Sequence, residues 1–450
     1  MPPDLKCEGT IDATDTPPTT PQEYTVFNKN AIRIIVLLCA VAGFFSPFSA
    51  FTYFPAIDYI GKDLGVSLQL MDLTITMFLV VQGIAPAILG DLADQVGRRP
   101  VYLLVLVVYF AASVGLALQR SYPALLVLRM VQSFGSSGTI ALGIMVVADL
   151  APPHDRGRYI GAMLSGPNSG PSFGPVLGGI LAELTGWPWI FWLLAIMGGA
   201  SLFPFFVLFP ETCRNIVGNG SLDGGGRLNK PLAHVLSPMR EGRAHDKKPT
   251  HRLQRFPNPF KCLRIVARRH DALLLVSNAL FYLTYSCVQA SLATLVMQHY
   301  GLNALQAGLC YLPYGVASII ASYLVGKVLD LDYRITARHE GITIDKIAGD
   351  ALISFPIERA RIRSVWYFIF CDLPHAECRP PPDRNRPRKR RRECHALPRA
   401  AAGVVCLQPL FDTIGVGWAF TTLGLLSGLS VPMLLVLRSL GPKWRGCVWN

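Results

Sequence analysis

Charge is what this sequence has least of. Asp, Glu, Lys and Arg make up 16% of its 450 residues, against roughly 25% in an ordinary soluble protein. A soluble chain of this size would need more charge to cover its surface. Metal-ligand patterns are missing as well. The 11 cysteines are scattered without a C-x-x-C pair. Cys378, Cys394 and His395 lack zinc-site spacing, so no metal site is expected. Residues 1–30 are polar and rich in Pro and Thr, without the apolar core of a signal peptide. They are expected to form a disordered cytosolic tail. Neither a Walker loop nor a catalytic triad is present, so no enzymatic chemistry and no resident cofactor are expected.

In place of charge the chain has long apolar runs, at 34–56, 71–89, 101–118, 123–150, 159–184 and 189–209. Each is near the roughly 20 residues that cross a bilayer core of about 30 Å. A basic, Gly-containing stretch reaches residue 270, and two more runs follow at 272–297 and 308–328. A last good span lies at 418–437, after a short apolar segment at 400–414 that carries Gln408, Pro409 and Asp412. Lys and Arg collect on alternate loops, at Arg98 and Arg99, at Arg156 and Arg158, across 211–270 and across 327–363. The loops between them are nearly free of both. By the positive-inside tendency the basic loops and the N-terminus face the cytosol. The sequon at Asn219 then stays unglycosylated.

Three stretches carry more than hydropathy requires. GDLADQVGRRP fills the turn after the second run. Gly90 and Gly97 permit a tight reversal, and Asp94 needs a partner that Arg98 or Arg99 can supply. The same spacing recurs after the eighth run as Gly326, Asp330 and Arg334, which suggests a duplicated half. LVLRMVQSFG puts Arg129 about 9 Å into the fourth span, by the 1.5 Å rise per residue, with Gln132 on the same face. A buried intramembrane Arg marks function unless it snorkels to the interface. GPSFGPVLGG places Gly170, Gly174, Gly178 and Gly179, with Pro175, in the fifth span. Such a stretch suits either a mobile segment or a packing seam of small residues. In the seventh span Tyr282, Tyr285 and Gln289 form one helical stripe, with Tyr311 and Tyr314 opening the eighth. The stripe fits a substrate-cavity wall, and fits ordinary helix packing better.

As a set and in this order, these motifs resemble the major facilitator superfamily. The turn looks like its G-x-x-x-D-x-x-G-R-R/K signature. Arg129 and Gln132 look like its fourth-span motif, with Ser133 where that family prefers Gly. The fifth span looks like its G-x-x-x-G-P-x-x-G-G antiporter motif. VVADLAPPHDRGRYIG and FPETCRNIVGNGS are similar to fungal twelve-span drug:proton antiporters of the multidrug or quinidine-resistance type. Pro188 stands where a basic residue is expected before WIFW. The resemblance implies an all-α fold of two six-helix bundles. It implies a conformational latch at Gly90, Asp94, Gly97, Arg98 and Arg99. It also implies proton coupling at Arg129 and Gln132, and a hinge and seal at Gly170, Gly174, Pro175, Gly178 and Gly179. Tyr282, Tyr285, Gln289 and Tyr311 are the possible cavity residues.

A twelve-span chain needs spans nine and ten after residue 363. Residues 364–370 are too few to cross a bilayer. Beyond them, RPPPDRNRPRKRRRECH at 379–395 holds eight Lys or Arg and four Pro, with no aliphatic or aromatic side chain. Alone it reads as a nucleic-acid patch, but eight preceding spans exclude that role. About ten spans are expected, with an incomplete C-terminal bundle. Residues 371–399 read as out-of-frame or intronic sequence ahead of a degenerate transporter or a lipid-binding basic loop. The expected organisation is a tail at 1–30, an N-terminal six-helix bundle at 31–210, a basic loop at 211–270, the start of a second bundle at 271–370, the anomalous segment at 371–399 and the last helices at 400–450. The expected protein is a multi-pass monomer of the plasma membrane rather than the vacuolar membrane. It exports small amphipathic organic compounds, driven by a proton gradient. A transport-inactive scaffold and a nutrient symporter are the alternatives.

Overall fold

Apolar length becomes helix almost without interruption. The computed structural model describes residues 24–222, 229, 269–301, 304–339, 421–425, 428 and 432–433. Helix α1 is Lys29–Tyr53, extended by a 3-10 turn at Phe54–Ala56. There follow α2 (Ile57–Leu64), α3 (Leu68–Val96), α4 (Arg98–Leu118), α5 (Tyr122–Leu150), α6 (Arg156–Leu184), α7 (Pro188–Leu208) and the single turn α8 (Arg214–Val217). The second half contributes α9 (Arg269–Tyr300), α10 (Ala304–Leu309) and α11 (Leu312–His339). No strand occurs among the described residues. Six helices, at Lys29–Ala56, Gln69–Val96, Arg98–Leu118, Tyr122–Leu150, Pro188–Leu208 and Leu312–His339, are long and apolar enough to cross a membrane. At 29 and 32 residues, α6 and α9 have the length too. The features expected at 371–399 and nearly all of those at 400–450 lie outside the described residues, and with them the count of ten spans.

Local chemistry sets the helix ends. The Asn28 side chain accepts a hydrogen bond from the Ala31 amide at 2.8 Å and caps α1. Gly97 separates α3 from α4 at φ 117°, a backbone conformation that side chains with a Cβ avoid. Pro188 opens α7, where its missing amide costs no helical bond. Large apolar side chains such as Leu37, Leu118, Ile196 and Phe203 stand on the outside of the bundle, with Phe203 73% exposed. A bilayer accommodates such a surface and water does not.

The closest packing is between α1 and α6, which run parallel. Gly166, Gly170, Gly174 and Gly178 recur every four residues and form one stripe on α6. A Cβ at Gly170 would lie 2.7 Å from the Phe48 amide, and one at Gly174 would lie 2.9 Å from that of Thr52. The stripe therefore lets the α1 backbone sit directly on α6, as small-residue seams do in membranes. Other faces of α6 meet the second half, antiparallel to α11. Gly157 and Gly161 face Gly326, Ser172 faces Gly315, and Asn168 donates to the Ser322 hydroxyl at 2.6 Å. Helix α6 is thus the element shared between the two halves.

Candidate functional site

The ends of α3, α5 and α7 gather with the starts of α4 and α6 on one face, which carries Arg98, Arg99, Arg156, Arg158 and Arg214. At its centre the buried Glu211 carboxylate accepts the amides of Arg98 at 2.8 Å and Arg99 at 3.2 Å. These are orphan donors of the first turn of α4. The Thr212 and Cys213 amides add two more bonds at 3.0 and 2.9 Å. Burial nevertheless raises the Glu211 carboxyl above the ordinary carboxylate range, against the pull of these amides and of Arg98. Gly97 has a second reason to be glycine, because a Cβ there would run into the Glu211 carboxylate.

The expected latch residues stand beside this carboxylate. Arg98 Nη1 lies 2.6 Å from Asp94 Oδ1, an ion pair outside hydrogen-bond alignment, and Arg98 Nε donates to Asp149 at 3.1 Å. Arg99 turns into α7 and donates to the Phe206 carbonyl at 2.5 Å. All these contacts join elements of the first half. Gly90 lies two turns back along α3 and takes no part in the pairing described here.

At this face a buried contact that crosses between the halves is made by Asp330, near the end of α11. Its carboxylate accepts the amides of Gly157 and Arg158, both at 2.8 Å, and so caps the N-terminus of α6. Beside it, Arg334 reaches Asp155 at 3.0 Å on an exposed edge. Residues 24–27, within the segment expected to be a disordered tail, are seated on the same face. The Tyr24 hydroxyl donates to the Ala148 carbonyl and accepts from Arg156, at 3.1 and 2.9 Å. Its ring lies 3.7 Å beneath the Arg214 guanidinium. Sequence reasoning assigned no role to Glu211, Asp149 or Tyr24. It did flag Asp330 through the repeated spacing with Asp94, a signal that could have located the cross-half contact.

Deeper in the bundle, Arg129 is 1% exposed. It donates through Nη1 to Gln132 Oε1 at 2.8 Å and to the Ser49 carbonyl at 3.3 Å. Its guanidinium sits over the rings of Tyr53 and Phe78, 4.2 and 4.4 Å from their centroids, a cation–π sandwich. Gln132 is oriented by its own bond to Ser113 at 3.0 Å. Ser133 donates to the Phe78 carbonyl at 2.6 Å. The close approach of α5 to α4 is instead permitted by Gly135, where a Cβ would lie 2.6 Å from the Tyr109 amide. The glycines of the fifth-span motif, Gly170, Gly174 and Gly178, form the seam with α1, and Pro175 meets Gly308 of α10. In the second half Tyr282, Tyr285 and Tyr314 form a chain of rings with centroids 5.8 and 5.9 Å apart. Tyr311 is buried and donates to the Gln289 carbonyl at 2.6 Å, so that pair is engaged in packing.

Two helical halves joined through a glycine-rich helix, with a carboxylate contact between them at one face and a buried charge within, are the architecture of a membrane transporter. The Major Facilitator Superfamily profile matches residues 39–339, and the chain belongs to that family. The MFS-type transporter phiD of Fungal sp. (strain ATCC 74256) is 34% identical over 94% of this chain and 70% of its own length. The MFS-type transporter tstD of Talaromyces stipitatus is 38% identical over 78% of this chain and 64% of its own length. Citrate exporter 1 of Aspergillus niger is 33% identical over 76% of this chain. The chain thus spans about two thirds of the length of these relatives. The fold is shared with the proton:xylose symporter XylE, at a TM-score of 0.57 and 14% identity over 92% of this chain and 96% of that one.

Proposed function

We propose that the protein exports small amphipathic organic compounds, such as a fungal secondary metabolite, in exchange for protons by alternating access. The observation that carries the alternating-access part is the Asp330 carboxylate on the α6 N-terminus. It joins the halves at the basic face, so its release would part α11 from the α6 N-terminus there, while Gly308 and Gly315 keep their contacts with Pro175 and Ser172 towards the other end of α6. The export direction rests on the resemblance of the α6 motif to antiporters, and on relatives that include a citrate exporter. No covalent step is needed. Cargo shifts the equilibrium between two conformations by its differential affinity for them. Arg129 keeps its proton at physiological pH, so its part in coupling is electrostatic. Reconstituted vesicles loaded with an amphipathic dye test the proposal. Under an imposed proton gradient, dye should leave against the direction of proton entry, and a protonophore should abolish the flux. Dye and proton moving together would replace export with symport. Absence of flux in the intact chain would leave a scaffold.

A further inference from the structure

Among the described residues Arg129 is a fixed cation without a counter-ion. No Asp or Glu occurs within 73–90 of α3, 122–148 of α5, 272–300 of α9 or 312–329 of α11, and α1, α4 and α7 have none at all. Among the described residues no carboxylate lies within ion-pair distance of it. The groups described around the charge are neutral: two rings, one carbonyl and the Gln132 amide oxygen. Both of its hydrogen bonds leave from Nη1, while Nε is buried without an acceptor. A guanidinium binds a carboxylate best through two parallel N–H groups, and the edge that includes Nε is such a fork. The side chain is also held ready. Gln132 is fixed by Ser113, and Tyr53 by a bond to Thr74 at 2.9 Å, so little ordering remains to be done on binding.

We propose that Arg129 anchors an ionised carboxylate of the transported compound, so that the cargo is an organic anion whose acid group displaces a ring from the guanidinium. This deepens the transporter reading and rests on it. The physical reason is that a buried cation lacking its own acid is best satisfied by one that the ligand brings. An inside-negative membrane also favours the exit of an anion from the cell.

The test is binding of radiolabelled phthalate, an aromatic dicarboxylate, to the full chain in phosphatidylcholine nanodiscs. Dimethyl phthalate serves as the uncharged probe of the same skeleton. Phthalate should bind and raise the unfolding temperature, and the ester should bind about tenfold more weakly or worse. Arg129→Gln should lower phthalate affinity about tenfold or more and leave the ester unchanged. Since that variant can fail to fold, Gln132→Glu decides independently. It supplies an internal acid to Arg129, so thermal stability should hold or rise while phthalate binding falls about tenfold or more. Phthalate binding to Gln132→Glu at the parental affinity overturns the proposal, and so does preference for the ester. Competition by phosphatidylserine nanodiscs would assign the site to a lipid headgroup and overturn the cargo as well. Dye flux with no phthalate binding defeats this inference alone, whereas phthalate binding without any flux defeats the transport reading and supports the anion site.

Discussion

Two helix N-termini on the basic face receive the same chemistry to different ends. At α4, Glu211 accepts the amides of Arg98 and Arg99; at α6, Asp330 accepts those of Gly157 and Arg158. Both carboxylates are buried, and both meet the positive end of a helix dipole. The difference is ownership. Glu211 and α4 belong to the same half, so the bond is part of that half's fold. Asp330 and α6 lie on opposite sides of the interface, so in the proposed transport cycle the same bond would bias one conformation over another. An interaction stabilises a fold when its partners stay together in every state. It acts as a latch when one state separates them.

This contrast breaks if the two carboxylates prove interchangeable under mutation. The largest effect is expected for Glu211→Ala. It leaves several buried amides without an acceptor and should cost about 3–5 kcal/mol of bundle stability. Thermal unfolding of the purified chain and its abundance in membranes should both fall. A smaller and different effect is expected for Asp330→Asn. Losing a charge at a helix terminus is worth about 1–2 kcal/mol, a shift of about 5–30-fold between conformations. Cysteines placed at 155 and 334 read that shift, since both side chains are accessible, at 42% and 54%. Cross-linking by a short bifunctional thiol reagent should drop, while the unfolding temperature changes little. A collapse in stability equal to that of Glu211→Ala would erase the distinction. The smallest effect belongs to Arg334→Ala. Its ion pair with Asp155 is exposed, and such pairs contribute about 0–1 kcal/mol. Neither unfolding nor flux should move measurably, and a strong loss of flux would make that edge part of the latch.

Much of the fold was legible in the sequence because membrane spans are written in apolar length. The first run, expected at 34–56, appears as Lys29–Tyr53 with its terminal turn, and the fourth, expected at 123–150, as Tyr122–Leu150. The break at Gly97 was legible too, since Asp-x-x-Gly-Arg-Arg between two apolar runs requires a tight reversal. The short helix α2 on the opposite face was not, because its polar and apolar residues mix below the length that hydropathy can recognise. The Gly/Pro stretch of α6 left hinge and seam both open. Its glycines meet α1 at every fourth residue, and only the position of α1 could reveal that. Asp94 stood out in the sequence for its motif. The buried carboxylate that bonds across the halves is that of Asp330, its counterpart in the repeat.

Composition alone determined that this chain lies in a membrane, how its first eight apolar segments divide, and which loops carry positive charge. Those properties follow from transfer of side chains between water and lipid, residue by residue, and need no neighbour. Tertiary structure alone decided which acid answers which helix end, which face of α6 holds α1, and that Arg129 has rings and a glutamine about it rather than a carboxylate. Such pairings depend on distances between residues up to 173 positions apart, and electrostatic energy inside a protein is set by those distances and by burial.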